Sequence, residues 1–299
     1  LIPIRLDAST SAASLPVISA SDKTAELLLC PKGGKDCKSL KKLQETLDDG
    51  SIQMGFPTSF QLSARIDLKK EKRTGRNVLA VLKSDLRNNE PPLIVGGHVD
   101  HLGKEGGSSS LAREDEKGKI HFGADDNASG VASTLEMAQW LVDQKQQGKF
   151  EMKRDIIFAA WSGEELGLLG SAHYVDQLAS ANHSNDLSNR FAAYLNMDMV
   201  GRYEDALVVN GVGSSSMWRR EIEQRNAPIG LRLALKEDSY LPTDATSFYL
   251  KKVPILSVFT GSHSEYHSPR DTPDLLNYEG MEDITKFLGF VARGLAVTN

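Results

Sequence analysis

Cysteine is nearly missing from this sequence: 2 residues in 299. Cys30 and Cys37 flank a Gly-containing loop, Pro31 to Asp36. A disulfide across that loop, and with it an oxidising compartment, is the favoured reading; two separate thiols are the alternative. A cysteine metal centre is not expected, since no histidine or third cysteine stands nearby. A long apolar run is lacking too. Nothing approaches the roughly 20 residues that span a bilayer, so no membrane span is expected. No basic excess exists: Lys+Arg number 35 against Asp+Glu 40, a net charge of -5. A general nucleic-acid binder needs the opposite balance to neutralise phosphates. The chain opens on Leu1-Ile2-Pro3 without Met or a signal peptide, and so reads as a mature or excised product. No internal repeat is visible.

What is present suits a globular protein. Hydrophobic residues make up 40% and charged residues 25%, enough for a sizeable core in one large or two small domains. Residues 1–50 read as an accessory segment and 51–299 as the main domain. In the first, Leu15 to Ser19 suits a short strand, and Ser21 or Asp22 caps a short helix running to Leu29. Leu40, Leu43 and Leu47 keep helical spacing until Asp49-Gly50. From Phe60 to Leu68 apolar and polar residues alternate, and Val78 to Leu82 reads as the second arm of a hairpin.

Strands then alternate with helices. Leu93-Ile94-Val95 leads into Gly96-Gly97-His98-Val99-Asp100-His101. Gly123-Ala124-Asp125-Asp126-Asn127 opens a helix with Val131, Leu135, Ala138 and Leu141/Val142 on one face. Ile156 to Trp161 is an apolar run that suits a strand covered on both faces, closed by Ser162-Gly163-Glu164-Glu165. A helix from about Leu166 to Leu178 follows it. Further strands are expected at Phe191 to Met197, Leu207 to Val209 and Val253 to Phe259. Helices are expected over 215–226, Thr243 to Leu250 and Met281 to Leu295. The alternation predicts an α/β fold with a largely parallel sheet and helices on both faces.

Open sheets of this kind keep ligand sites at their carboxyl edge. Several strand ends deliver polar groups there: His98 with Asp100, Asp125 with Asp126, Glu164 with Glu165, and Asp198, while a later loop adds Tyr266-His267. Each has an ordinary explanation as a satisfied core histidine, a helix cap or loop packing. Together they form the imidazole and carboxylate set expected of zinc in a hydrolytic site. Asp100, two residues after His98, is placed to accept the second ring N–H of a ligating histidine. Two adjacent glutamates point in different directions in extended backbone, so one can bind metal while the other moves protons.

GGHVDH, GADDNASG, WSGEELGLLGS, LNMDMVG and YHSPRDT, in that order, resemble the co-catalytic two-zinc aminopeptidases, a metallopeptidase family with glutamate-carboxypeptidase-like members. The resemblance covers roughly residues 58 to 299. It implies a three-layer α/β/α zinc-exopeptidase fold and two Zn2+ ions. His98 and Asp198 would bind one zinc and Glu165 and His267 the other, with Asp125 bridging them. Asp126 would follow across a cis peptide bond. Glu164 would be the general base and Tyr266 a donor to the oxyanion. His263, a few residues earlier, could replace His267 if the loop register differs, and His101 reads as solvent-side or supporting.

Thr243-Asp244-Ala245 stands where relatives often carry Ser-Asp-His, which puts side-chain preference in doubt. Leu15 to Leu29 resembles the tail of a protease-associated domain. The expected partner is a peptide with a free N-terminus, and the expected location is extracellular or periplasmic. A glutamate-carboxypeptidase-like hydrolase is the alternative, with Arg202, Lys251 or Arg270 receiving a carboxylate. A non-catalytic binding module on the same fold is the other.

Overall fold

The computed structural model describes residues 21–29, 39–51, 63, 74–86, 90–104 and 107–298. The chain divides into two compact units, Leu1–Arg73 and Thr74–Asn299. In the first unit, helices α1 (Asp22–Leu29) and α2 (Leu40–Asp48) form where apolar spacing predicts them. The Ser39 hydroxyl accepts the Lys42 N–H and so caps α2. The strands expected at Leu15 to Ser19 and, apart from Ser63, at Phe60 to Leu68 lie outside the described residues, as do Cys30 and Cys37.

The second unit holds seven described strands: β1 (Val78–Leu82), β2 (Leu93–His98), β3 (Ile156–Trp161), β4 (Ala193–Met197), β5 (Leu207–Asn210), β6 (Leu233–Leu235) and β7 (Ile255–Phe259). They form one mixed, mostly parallel sheet in the order β1-β3-β2-β4-β7-β5-β6. Strand β2 is parallel to both β3 and β4, and β4 is parallel to β7. The chain leaves β2 for β3 on one side and returns to β4 on the other. That reversal opens a crevice at the carboxyl ends, where side chains from different strands converge.

Helices α3 (Gly130–Gln146), α4 (Leu169–Ala181), α5 (Trp218–Asn226), α6 (Ala245–Tyr249) and α7 (Tyr278–Val297) cover both faces. The alternation of strand side chains explains the layers. Leu93 and Val95 share a buried cluster with Met137 and Leu141 of α3 and Ile284 and Phe287 of α7. Ile94, between them in sequence, points the other way and joins Val175 of α4 and Phe248 of α6. Trp161 closes this second layer, its indole N–H donating to the Tyr194 hydroxyl at 2.9 Å. No described helix is long and apolar enough to cross a membrane.

One helix face differs from the sequence expectation. The buried side of α3 is Gly130, Ser133, Thr134, Met137 and Leu141, while Leu135 is 65% exposed. The irregular turn Ala124–Ser129 precedes α3 directly, and at Gly130 a Cβ would lie 2.4 Å from the Met197 carbonyl, so a small residue is needed where the helix meets the sheet. Hydrophobicity alone could not reveal that phase.

Candidate metal centre and active site

His98 ends β2 and is nearly fully buried. Its Nδ1 lies 2.9 Å from the Asp100 main-chain carbonyl, an acceptor only, so Nδ1 is protonated and Nε2 is the nitrogen that offers a lone pair when the ring is neutral. The sequence expectation gave this task to the Asp100 carboxylate. That carboxylate is 4.0 Å away and accepts the Glu164 N–H instead, at 3.1 Å, tying the β2 and β3 loops together. His267 is fixed in the same manner: its Nδ1 donates to the Ser109 carbonyl at 2.9 Å.

Asp126 occupies the centre. One carboxylate oxygen lies 3.1 Å from His98 Nε2, and the other lies 3.1 Å from His267 Nε2. Asp198, just past β4, stands 3.4 Å from His98 Nε2, and Glu165 stands 3.1 Å from His267 Nε2. Donors sharing one zinc ion at ordinary bond lengths and tetrahedral angles lie about 3.3 Å apart. His98, Asp126 and Asp198 form one group able to hold a metal ion, and His101, Asp126 and Glu165 form another.

The central position corrects the sequence reading, which put Asp125 between the two sites and a cis bond after it. The cis peptide is Asp126–Asn127. Asp125 turns away, its carboxylate accepting the Gly201 N–H at 2.6 Å and the Ser129 hydroxyl at 3.0 Å, with His263 Nε2 at 3.2 Å. His263 thus lies against Asp125, and it is His267 that stands beside Asp126 and Glu165. Neighbouring side chains in non-helical backbone diverge, so only one of two adjacent aspartates can face the crevice. The backbone decides which one: the buried Asp271 carboxylate accepts the N–H groups of both Asp125 and Asp126. Asn127 completes the turn. Its amide donates to the Met197 carbonyl and its oxygen accepts the Gly130 N–H. A Cβ on Gly97 would lie 2.3 Å from that carbonyl and 2.9 Å from the Asn127 amide nitrogen, so glycine is required for the approach.

Electrostatics follow from gathering these groups away from water. Burial opposes charge on His98 and His267, but the adjacent carboxylates outweigh it. Both imidazoles are raised above the usual range, His267 to about 10 by Asp126 and Glu165. Burial would raise Asp126, yet His267 and His98 hold it below the usual carboxylate range. Glu164 enters no hydrogen bond or ion pair through its carboxylate among the described residues. Burial, with the nearby charges of Asp198, Asp244 and Glu165, raises it to about 9. Tyr266 stacks on His267 with ring centroids 3.8 Å apart, and burial raises its phenol.

His98, Asp126, Glu164, Asp198, Tyr266 and His267 all line a cleft of about 690 Å³. Its remaining wall is mixed: Met199, Val208, Leu241, Pro242 and Phe259 are interspersed with polar residues, among them Asn210, Lys236 and Asp238. Sequence reasoning did not single out Asp271 as the carboxylate that holds the central turn. It also missed Asp244, a buried carboxylate whose charge acts on Glu164 and which burial raises to about 7. Neither position carries a signal beyond membership of a longer motif.

Fold and donor set together are those of a metallopeptidase. The profile of peptidase family M28 matches residues 77–291, and the chain belongs to that family. Over 235 residues it is 30% identical to a protein of Aspergillus oryzae described as "probable leucine aminopeptidase 2", covering 73% of this chain and 40% of that protein. It is 29% identical over 187 residues to the "probable glutamate carboxypeptidase VP8" of Zea mays, covering 62% of this chain and 22% of that protein. Among solved structures, the zinc aminopeptidase BSAP of Bacillus subtilis superposes with a TM-score of 0.58 at 23% identity, over 75% of this chain and 50% of that one. The chain thus spans under half the length of the two relatives in sequence.

Proposed function

We propose that the chain is an aminopeptidase that holds two divalent metal ions, zinc by the donor set, and releases N-terminal residues from peptides. One observation carries the two-ion reading: the two oxygens of Asp126 face different histidines, His98 and His267, each 3.1 Å away. The residues fit such ions in a second way. His101 and Glu165 Oε1 are buried polar groups without hydrogen-bond partners, a costly arrangement that a cation relieves. His98 and Asp198 would hold one ion, His267 and Glu165 the other, and Asp126 both. When bound, the ions supply Lewis acidity toward the scissile carbonyl and lower the pKa of the attacking water.

The chain's own groups do the rest. Glu164, unpaired at the cleft, accepts the water's proton and delivers it to the departing amine. Its high affinity for a proton belongs to the metal-free chain; nearby dications favour its carboxylate form. The Tyr266 hydroxyl is the donor for the developing oxyanion. The apolar part of the cleft wall suits an apolar side chain, and the acidic groups of the cleft suit an α-ammonium.

The carboxypeptidase alternative needs a cation for the substrate's carboxylate. Arg202 sits 3.6 Å from both Asp271 and Glu265, Lys251 is 2.8 Å from Asp176, and Arg270 pairs with Glu116. None of the three lines the cleft; Lys236 does, together with Asp238. Assay of aminoacyl substrates against N-blocked and C-terminal-residue substrates separates the two readings. Turnover confined to free N-termini and abolished by a chelator is expected. Turnover of N-blocked substrates with release of the C-terminal residue would overturn the aminopeptidase assignment.

Metal uptake should also depend on pH. In the metal-free chain His98 and His267 hold protons at neutral pH. An ion must displace them, because ligation needs the neutral ring. Apparent affinity should therefore rise with pH toward about 10 on the His267 side, by roughly tenfold per pH unit for each proton displaced. Calorimetric titration at pH 7 in buffers of different ionisation enthalpy should show proton release. Buffer-independent heats would contradict this protonation scheme.

A further inference from the structure

Beyond the donors assigned above, the geometry points to His101 as an additional protein ligand for the ion on the Glu165–His267 side. This inference rests on the two-ion reading just given. The His101 side chain is only 9% exposed, and its Nδ1 lies 2.7 Å from Glu165 Oε1 and 3.8 Å from Asp126 Oδ2. The pair of atoms at 2.7 Å lacks the alignment of a hydrogen bond. Both ring nitrogens of His101, and Glu165 Oε1 itself, are buried without any hydrogen-bond partner. Two such atoms side by side, not aimed at each other, are arranged as donors to a shared third point. Unsatisfied ring nitrogens in the interior are costly. His263 has two as well, but its Nε2 faces Asp125 outside the crevice, whereas His101 stands among Asp126, Glu165 and His267.

His121, a short distance away, shows the contrast. Its two ring nitrogens are both used, by the Ser110 hydroxyl at 2.7 Å and the Gly103 carbonyl at 3.0 Å. The Gly103–His121 bridge closes the loop that begins two residues after His101. On the other flank, the His101 ring meets that of His267 edge-on, with centroids 5.7 Å apart. Space for the ring is made at Gly123, where a Cβ would lie 2.6 Å from His101 Cγ. Gly123 also has φ +64, a conformation few side chains tolerate. The turn that presents Asp126 thus also makes room for His101.

The consequence is an asymmetric pair. His101, Asp126, Glu165 and His267 give one ion four protein donors, the count of a closed site, while His98, Asp126 and Asp198 give the other three, leaving a position open. The Glu165-side ion should be the more tightly held.

The test uses the whole chain, stripped of metal and reloaded with Zn2+. Stepwise constants are measured by chelator competition, and imidazole ligands are counted by X-ray absorption. Wild type should bind two ions with three imidazoles between them. His101→Ala should show two imidazoles and weaker binding of the tighter ion. That loss should be about 100-fold or more, at or beyond the top of the range for a merely orienting partner. The other constant should stay within a factor of about three, since the three donors on its side are untouched. His101→Gln, which keeps side-chain bulk, serves if the alanine variant does not fold, and circular dichroism in chelator checks both. Two ions with two imidazoles in wild type, or stepwise constants unchanged by the substitution, would overturn the role of His101 and leave the two-ion reading standing. Uptake of no ion, or of one, by wild type would overturn the two-ion reading itself and this inference with it.

Discussion

Glu164→Gln should keep both ions and lose roughly two to four orders of magnitude in kcat, the usual contribution of a positioned proton carrier. The amide preserves the size of the side chain and its place at the cleft but cannot take a proton. Nothing in the fold depends on that carboxylate: it makes no ion pair or hydrogen bond among the described residues, and burial raises its pKa to about 9. Replacing it removes a buried acid and should leave stability unchanged or higher. The peptide bond to Glu165 stays, so metal content by mass spectrometry should equal that of wild type. Full turnover in a metal-loaded Glu164→Gln protein would remove this residue from the chemistry. Loss of metal would instead show that the two glutamates cannot be separated in function.

Asp126→Asn and Asp125→Asn should behave in opposite ways, although the residues are neighbours. Asp126 places one oxygen toward each histidine, so replacing it affects both ions at once. An amide offers one neutral oxygen where the carboxylate offers two sharing a negative charge. The weakening should exceed about 100-fold for each ion, beyond what removal of a supporting partner costs. Asp125→Asn leaves every crevice donor in place. It disturbs the hydrogen bonds from Gly201 and Ser129 and the contact with His263, so the expected loss is in stability, about 1–3 kcal/mol for partly unsatisfied buried groups. Metal stoichiometry and urea unfolding separate the two outcomes. If Asp125→Asn loses both ions and Asp126→Asn keeps them, the central position belongs to the first aspartate after all.

The one-residue displacement marks where sequence reading stops. GADDNASG contains two carboxylates, and no property of the string distinguishes them, since both are acidic, adjacent and followed by the same helix. The choice is made by Asp271, 145 residues away from Asp126 in sequence, whose carboxylate holds the backbone of the turn. His98 was legible as a donor because it ends an apolar strand, but its proton partner was not. Whether a carboxylate or a main-chain carbonyl reaches Nδ1 depends on the path of the loop from Val99 to His101. His101 looked peripheral because the sequence shows no ring packing. Its burial becomes visible only beside Gly123, His121 and His267.

The sequence by itself determined the class of fold, the elements and the chemical type of the site. Strand-length apolar runs and helical spacing are local properties, and imidazoles and carboxylates at strand ends can converge only if those strands lie parallel in one sheet. The tertiary structure decided which oxygen faces which imidazole, which of two aspartates stands at the centre, and which histidines beside the carboxylates are left without a hydrogen bond. Those outcomes turn on differences of an ångström or two between groups far apart in the chain, set by hydrogen bonds and close backbone approaches that no local pattern encodes.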